Sequence, residues 1–204
     1  MLTLYTAPGT CALATHIALE EAGASFELAK VDFPSQAQRS PEFLKVNPKG
    51  RVPALATDQG ILTETPALLL YVAQLYPAAK LAPLDDPFAL AKMQAFNNYL
   101  CATAHVNHAH GRRGARWADE ASSHADMLRK VPQTMADCTA LIERELLAGP
   151  WVLGAQYSVA DGYLYTIARW LKGDGVDVAD YPKLAAHMAA MEARPAVQRM
   201  LAAY

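Results

Sequence analysis

Asn47-Pro48-Lys49-Gly50-Arg51-Val52-Pro53-Ala54-Leu55 reads as a turn that runs directly into a short apolar strand. A proline at the head of a strand cannot donate to a central ladder. A cis Val52-Pro53 peptide would turn the chain sharply and leave the Val52 N–H and C=O exposed. An extended peptide could then pair with that backbone as an added strand. An ordinary edge-strand proline is the plainer reading of the same residues. Downstream, Val52 to Ala56 and Ile61-Leu62 flank Asp58-Gln59-Gly60, a hairpin pattern.

Upstream, Leu2-Thr3-Leu4-Tyr5 alternates as a strand, and Ala7-Pro8-Gly9 breaks it. From Cys11 to Ala22 the spacing of Leu13 and Ile17 predicts a helix, which Gly23 ends. Phe26 to Val31 is a second strand, and Ser40-Pro41 is an N-cap followed by proline at the first helical position. Thr65-Pro66 opens a helix through Tyr76. The order β-α-β-α-β-β-α predicts a mixed sheet with helices packed on it.

Residues 77–87 read as a linker, with Pro77, Pro83 and Asp86-Pro87, and strand signals nearly vanish beyond it. Leu90, Met93, Phe96 and Leu100 follow helical spacing, as do Leu128, Val131, Met135, Cys138 and Ile142. Pro132 is expected to kink that second helix. Ser158-Val159-Ala160-Asp161 resembles a capping box with Asp in the acidic position, and Tyr181-Pro182 and Arg194-Pro195 start two short final helices. The expected domains are 1–79, an α/β unit, and 87–204, an all-helical unit.

Composition narrows the function. The 204 residues carry a formal net charge of −2, without the clustered basic excess that phosphate backbones require, so nucleic acid is a poor partner. No apolar run approaches the ~20 residues of a membrane helix, and Met1-Leu2-Thr3-Leu4-Tyr5 does not read as a signal peptide. Cys11, Cys101 and Cys138 form no disulfide framework and fit a reducing, cytoplasmic setting.

Two places carry candidate chemistry besides Val52-Pro53. Cys11 follows a Pro-Gly turn and opens a helix, whose positive end favours a thiolate by about 0.3–1 kcal/mol. Thr10 offers a hydroxyl beside it and Tyr5 a phenol at the strand end. The bland alternative is a small cysteine packing helix against sheet. No CxxC is present, so a thioredoxin-type dithiol is excluded. Thr65, with the amides of a helix start, makes an anion site, and Glu64 could accept an ammonium group; read alone, this is an N-cap.

Together these elements resemble the glutathione transferase superfamily. Tyr5-Thr6-Ala7-Pro8-Gly9-Thr10-Cys11 looks like the pattern of bacterial beta-class members. The Val52-Pro53 stretch is similar to the family's cis-proline entry to strand three. Leu62-Thr63-Glu64-Thr65 matches its γ-glutamyl site, and Tyr157-Ser158-Val159-Ala160-Asp161 its helical capping motif. The resemblance implies a thioredoxin-like α/β domain followed by an all-α helical bundle, a homodimer, and conjugation of glutathione to small hydrophobic electrophiles in detoxification, without a metal. It places Cys11 at the glutathione sulfur, Val52 and Pro53 along the cysteinyl backbone, and Glu64 and Thr65 at the γ-glutamyl end. His105 matches a histidine near the thiol, and Asn98 a residue that reaches glutathione in the neighbouring subunit. Two departures stand out. The loop after strand two reads Phe33-Pro34-Ser35-Gln36 where beta-class members often carry lysine, and position 103 is Thr where an acid is expected.

Cys11, Thr10 and His105 could stabilise a glutathione thiolate. Alternatively, the Cys11 thiolate could form a mixed disulfide and support an oxidoreductase or peroxidase. A third reading is a non-catalytic glutathione-binding or regulatory protein on the same fold. In the segment His105 to Trp117, Arg112, Arg113 or Arg116 with Trp117 is expected to line the electrophile pocket and favour an anionic or aromatic co-substrate. Cys101, His105 and His108 could share a helical face, but their spacing matches no strong zinc pattern. Trp170, Leu171, Met188 and Met191 read as core.

Overall fold

The computed structural model describes residues 1–204. β1 (Leu2–Thr6) alternates, with Leu2, Leu4 and Thr6 buried and Thr3 and Tyr5 on the other face. It lies inside a four-stranded sheet of order β2-β1-β3-β4. β2 (Phe26–Lys30) runs parallel to it, with Leu2 opposite Phe26. β3 (Ala54–Thr57) runs antiparallel, with Leu4 opposite Leu55, and β4 (Gly60–Thr63) closes the expected hairpin.

A parallel pair needs a crossover, and α1 (Ala12–Glu21) supplies it. The one-sided face read through Leu13 and Ile17 proves too narrow: every residue from Ala12 to Leu19 is buried. The sheet covers one side of α1, while Leu13 and Ile17 pack with Tyr165, Met191, Val197 and Met200 of the helical domain. α2 (Pro41–Val46) is capped by Ser40, whose hydroxyl accepts the Phe43 N–H at 3.1 Å. Its Phe43 meets Tyr5 edge-on at 5.9 Å. α3 (Thr65–Leu75) adds Leu68, Leu69 and Val72 to the core that holds Leu4 and Leu55.

The helical half starts at α4 (Pro87–Tyr99), capped by Asp86, which accepts from the Phe88 and Ala89 amides at 3.0 Å. A widened π turn over Leu100–Ala104 leads straight into α5 (His105–Arg113). α6 (Ala121–Leu141) runs on through Pro132, the residue expected to kink it. That proline is exposed, while Val131, Met135 and Cys138 hold the helix to the core. Leu128, expected on the same buried face, is exposed.

α7 (Val159–Ala168) is buried at every position. Asp161 fixes its start as the sequence suggested: one carboxylate oxygen accepts the Ser158 N–H at 2.7 Å. The other accepts the Val152 N–H at 2.7 Å and lies 3.1 Å from His187 Nε2. Gly162 allows α7 to lie against α1, since a Cβ there would sit 3.2 Å from Ile17 Cγ2. α8 (Pro182–Glu192) and α9 (Pro195–Ala202) complete the bundle. The Tyr204 hydroxyl returns to Thr6, 2.7 Å from its Oγ1.

Candidate active site

A cavity of about 380 Å³ opens between the two halves, a size typical of small-molecule sites. The loop before α1, the turn carrying Val52-Pro53 and the start of α3 form one wall. α5, α7 and Trp170 form the other. The walls are joined directly: the Trp170 indole N–H donates to the Gly9 carbonyl at 2.9 Å. His108 stacks on Trp170 at 4.2 Å and is held in turn by Asp174, 2.8 Å from its Nδ1.

Cys11 lies buried at one end of the cavity, where its thiol donates to the Val52 carbonyl at 3.6 Å. Burial pushes this thiol up to about 11, and the Thr65 hydroxyl and the Arg113 charge pull it back only in part. The sequence reading expected the helix start to draw Cys11 toward the thiolate range. The helix end contributes less than one unit at ~1.36 kcal/mol per unit, and loss of water outweighs it. Cys11 is therefore a neutral S–H donor. Thr10 is committed as a donor, its hydroxyl closing the loop on the Ala7 carbonyl at 2.7 Å.

Two further titratable groups line the same cavity. His105 lines the cavity with its ring 4.9 Å from Trp170. It is pushed down to about 4, first by burial, then by His108, Arg113, Arg116 and Arg51. It is neutral near pH 7. Tyr163, on α7, is fully buried, and its hydroxyl has no hydrogen-bond partner. Burial first, then Cys11 and Cys101, raise its ionisation far above the ordinary phenol range, so it too is purely a donor or neutral acceptor.

Along the first wall, the Val52-Pro53 peptide is cis. The Val52 N–H has no partner within the chain. Glu64 stands at the start of α3 with φ of +73°, a region non-glycine residues enter at a cost of about 1–3 kcal/mol and that clusters at ligand sites. Lys49 Nζ bridges its carboxylate at 2.5 Å and the Thr63 hydroxyl at 2.7 Å. Buried Thr65 lies beside it at the cavity wall.

Arg39, Arg51, Arg113 and Arg116 also line the cavity, and none of them forms an ion pair. Burial, then Arg113, Arg51 and Arg39, push Arg116 down to about 10. Arg39 reaches the cavity across Gly50, whose φ is +60° and whose missing Cβ would lie 3.0 Å from the Gln38 carbonyl oxygen and 3.2 Å from Arg39 Nη1. Glu64 is the one carboxylate in the lining.

Comparison with known proteins agrees with this architecture. The family model for the glutathione S-transferase N-terminal domain matches residues 1–74, and that for the C-terminal domain matches 115–190. Glutathione S-transferase GstA of Escherichia coli O157:H7 is 30% identical over 99% of this chain and 98% of its own length. The chain belongs to the glutathione S-transferase family. A glutathione transferase homologue from Sulfitobacter, solved with bound glutathione, is 49% identical, with a TM-score of 0.97 over 100% of this chain and 98% of that one. A beta-class glutathione S-transferase from Sphingomonas chungbukensis is 34% identical, with a TM-score of 0.85 over 98% of each chain.

In this glutathione transferase the cavity brings together Cys11, Thr10, Val52, Pro53, Glu64, Thr65, His105, Arg113, Arg116 and Trp117. Three residues singled out from sequence lie elsewhere. Tyr5 alternates to the far face of β1 and packs on Phe43. Asn98 and Arg112 are exposed on α4 and α5 outside the lining. Lining residues that sequence reasoning did not single out include Arg39, Arg51 and Tyr163. Trp170, read as core, is a wall of the site. Cys101, His105 and His108 do face one cavity, but no three His, Cys, Asp or Glu side chains stand close enough to share a metal ion.

Proposed function

We propose that this glutathione transferase lays reduced glutathione along the Val52-Pro53 edge and conjugates it to small hydrophobic electrophiles entering beside α5. The unpartnered Val52 N–H receives the cysteinyl carbonyl, and Glu64 with Thr65 receives the γ-glutamyl end. Arg39 and Arg51 take the glycine carboxylate, in place of the lysine absent from the Phe33-Pro34-Ser35-Gln36 loop. The first 79 residues thus bind the tripeptide, and residues 87–204 shape the electrophile's half of the site.

The observation that carries the reading is that un-ionised donors line one cavity together. The unpartnered Tyr163 hydroxyl can point a proton at the glutathione sulfur, the Cys11 thiol can do so by turning from its long 3.6 Å bond to the Val52 carbonyl, and His105 is a neutral acceptor for the proton the sulfur loses. Arg113 adds positive potential. A Cys11 thiol at about 11 is ionised in only ~1 of 10⁴ molecules at pH 7, which disfavours the mixed-disulfide route. We also propose a cytoplasmic detoxifying homodimer, in which exposed Asn98 of one copy approaches glutathione held by the other.

Conjugation of 1-chloro-2,4-dinitrobenzene and reduction of a glutathione mixed disulfide, measured in the parent and in Cys11→Ala, test this. The expected result is conjugation that survives the substitution with a loss of about 3–30-fold, one donor among several. Disulfide reduction that is fast in the parent and abolished in Cys11→Ala would assign the oxidoreductase role instead. Glutathione binding without either activity would leave a carrier.

A further inference from the structure

The cavity holds more positive charge than glutathione can use. Arg39, Arg51, Arg113 and Arg116 line it without carboxylate partners, and its one acid, Glu64, is already matched by Lys49. Glutathione with an ionised thiol carries two carboxylates, one thiolate and one ammonium, a net of two negative charges. About two of the four guanidinium charges are left over.

The surplus has a location. Arg39 and Arg51 belong to the tripeptide wall, from the loop packed on Gly50 and the turn before Val52. Arg113 and Arg116 come from the opposite wall, at the end of α5 and in the turn after it. Val106, Ala109 and Trp117 line the same side, and Trp117 is braced edge-on by His110 at 4.4 Å while remaining about half exposed. The Arg113 charge acts on both Cys11 and His105, which line the same cavity.

We propose that the electrophile is an anionic aromatic compound, whose carboxylate or sulfonate is held by Arg113 and Arg116 while its ring lies against Trp117. This rests on the transferase reading above and narrows its hydrophobic electrophile to an aromatic ring that also carries an acidic group. Guanidinium groups suit such planar acids because they can present two parallel N–H donors. The exposed positions of Arg39, Arg51 and Arg116 at the rim also favour capture of an anion from solution.

The test compares 4-chloro-3,5-dinitrobenzoate with its neutral amide. In both, the glutathione thiolate forms a C–S bond, chloride leaves with the C–Cl electron pair, and the thiol proton passes to solvent. Each kcat/KM is divided by the uncatalysed rate of the same compound with glutathione. The expected ratio of acid to amide is about fivefold or more at low salt, shrinking severalfold near ~0.5 M NaCl as charges are screened. Arg113→Met with Arg116→Met should bring the ratio toward one, while Arg112→Met, outside the cavity, leaves it in place. A parent ratio of one or less, or a ratio unmoved by the double substitution, overturns the proposal while conjugation of the amide upholds the transferase reading. Conjugation of neither compound overturns both.

Discussion

Alkylation of Cys11 by iodoacetamide reports whether this thiol is a nucleophile or a donor. Burial holds it near about 11, against an ordinary cysteine value of 9.0. Two units lower the thiolate fraction at pH 7 about 100-fold. A more basic thiolate is intrinsically more reactive, with a Brønsted slope of about 0.4–0.5, which returns roughly a factor of 6–10. The net rate should be ~10-fold or more below that of a free cysteine, and steric burial slows it further. The pH profile is more decisive than the absolute rate. Peptide-resolved mass spectrometry of the native protein should show Cys11 alkylation rising about tenfold per unit from pH ~7 to ~10 without levelling. A plateau reached below pH ~8 would mean an activated thiolate and would refute the donor role.

His105 supplies a stability test. Its folded value of about 4 lies below the ordinary 6.5, so the unfolded chain binds the proton more readily between those limits. Stability attributable to this residue is intact above pH 6.5 and is lost as pH falls toward 4, by up to about 3 kcal/mol. Between pH 7 and pH 4, urea melts should show the parent losing up to about 3 kcal/mol relative to His105→Asn, which has nothing to protonate there; parallel pH dependences would contradict the shift. Gly50→Ala puts a Cβ against the Gln38 backbone and the Arg39 side chain at positive φ. A cost of about 1–2 kcal/mol predicts a Tm lower by ~2–8 °C together with weaker glutathione binding. An unchanged Tm in calorimetry would show that the loop does not rest on this glycine.

The features readable from sequence are those fixed by neighbouring residues. The Asn47–Leu55 turn and strand, the Ser40 and Asp86 caps, and the Ser158/Asp161 start of α7 each depend on contacts a few residues apart. The ionisation of Cys11 was misread because its burial comes from chain segments far along the sequence. Tyr163 and Trp170 carry the same helical apolar spacing as core residues; only the cavity distinguishes them. The split between Arg112 and Arg113 has a geometric cause. Successive helix residues point about 100° apart, so Arg113 joins His105 and Ala109 on the cavity face of α5 while its neighbour Arg112 turns to solvent. Arg39 ends a three-residue 3-10 turn and Arg51 lies in a loop, so neither has a periodicity to mark it.

Ultraviolet absorbance near ~240 nm, followed while glutathione is titrated with pH in the presence of saturating protein, reads the state of the bound sulfur. If the cavity's donors and arginines stabilise the thiolate, its midpoint lies at least about one unit below that of the free tripeptide measured under the same conditions. A bound thiol that ionises at the same pH as in free solution would contradict the assignment of this cavity as the place where glutathione is activated.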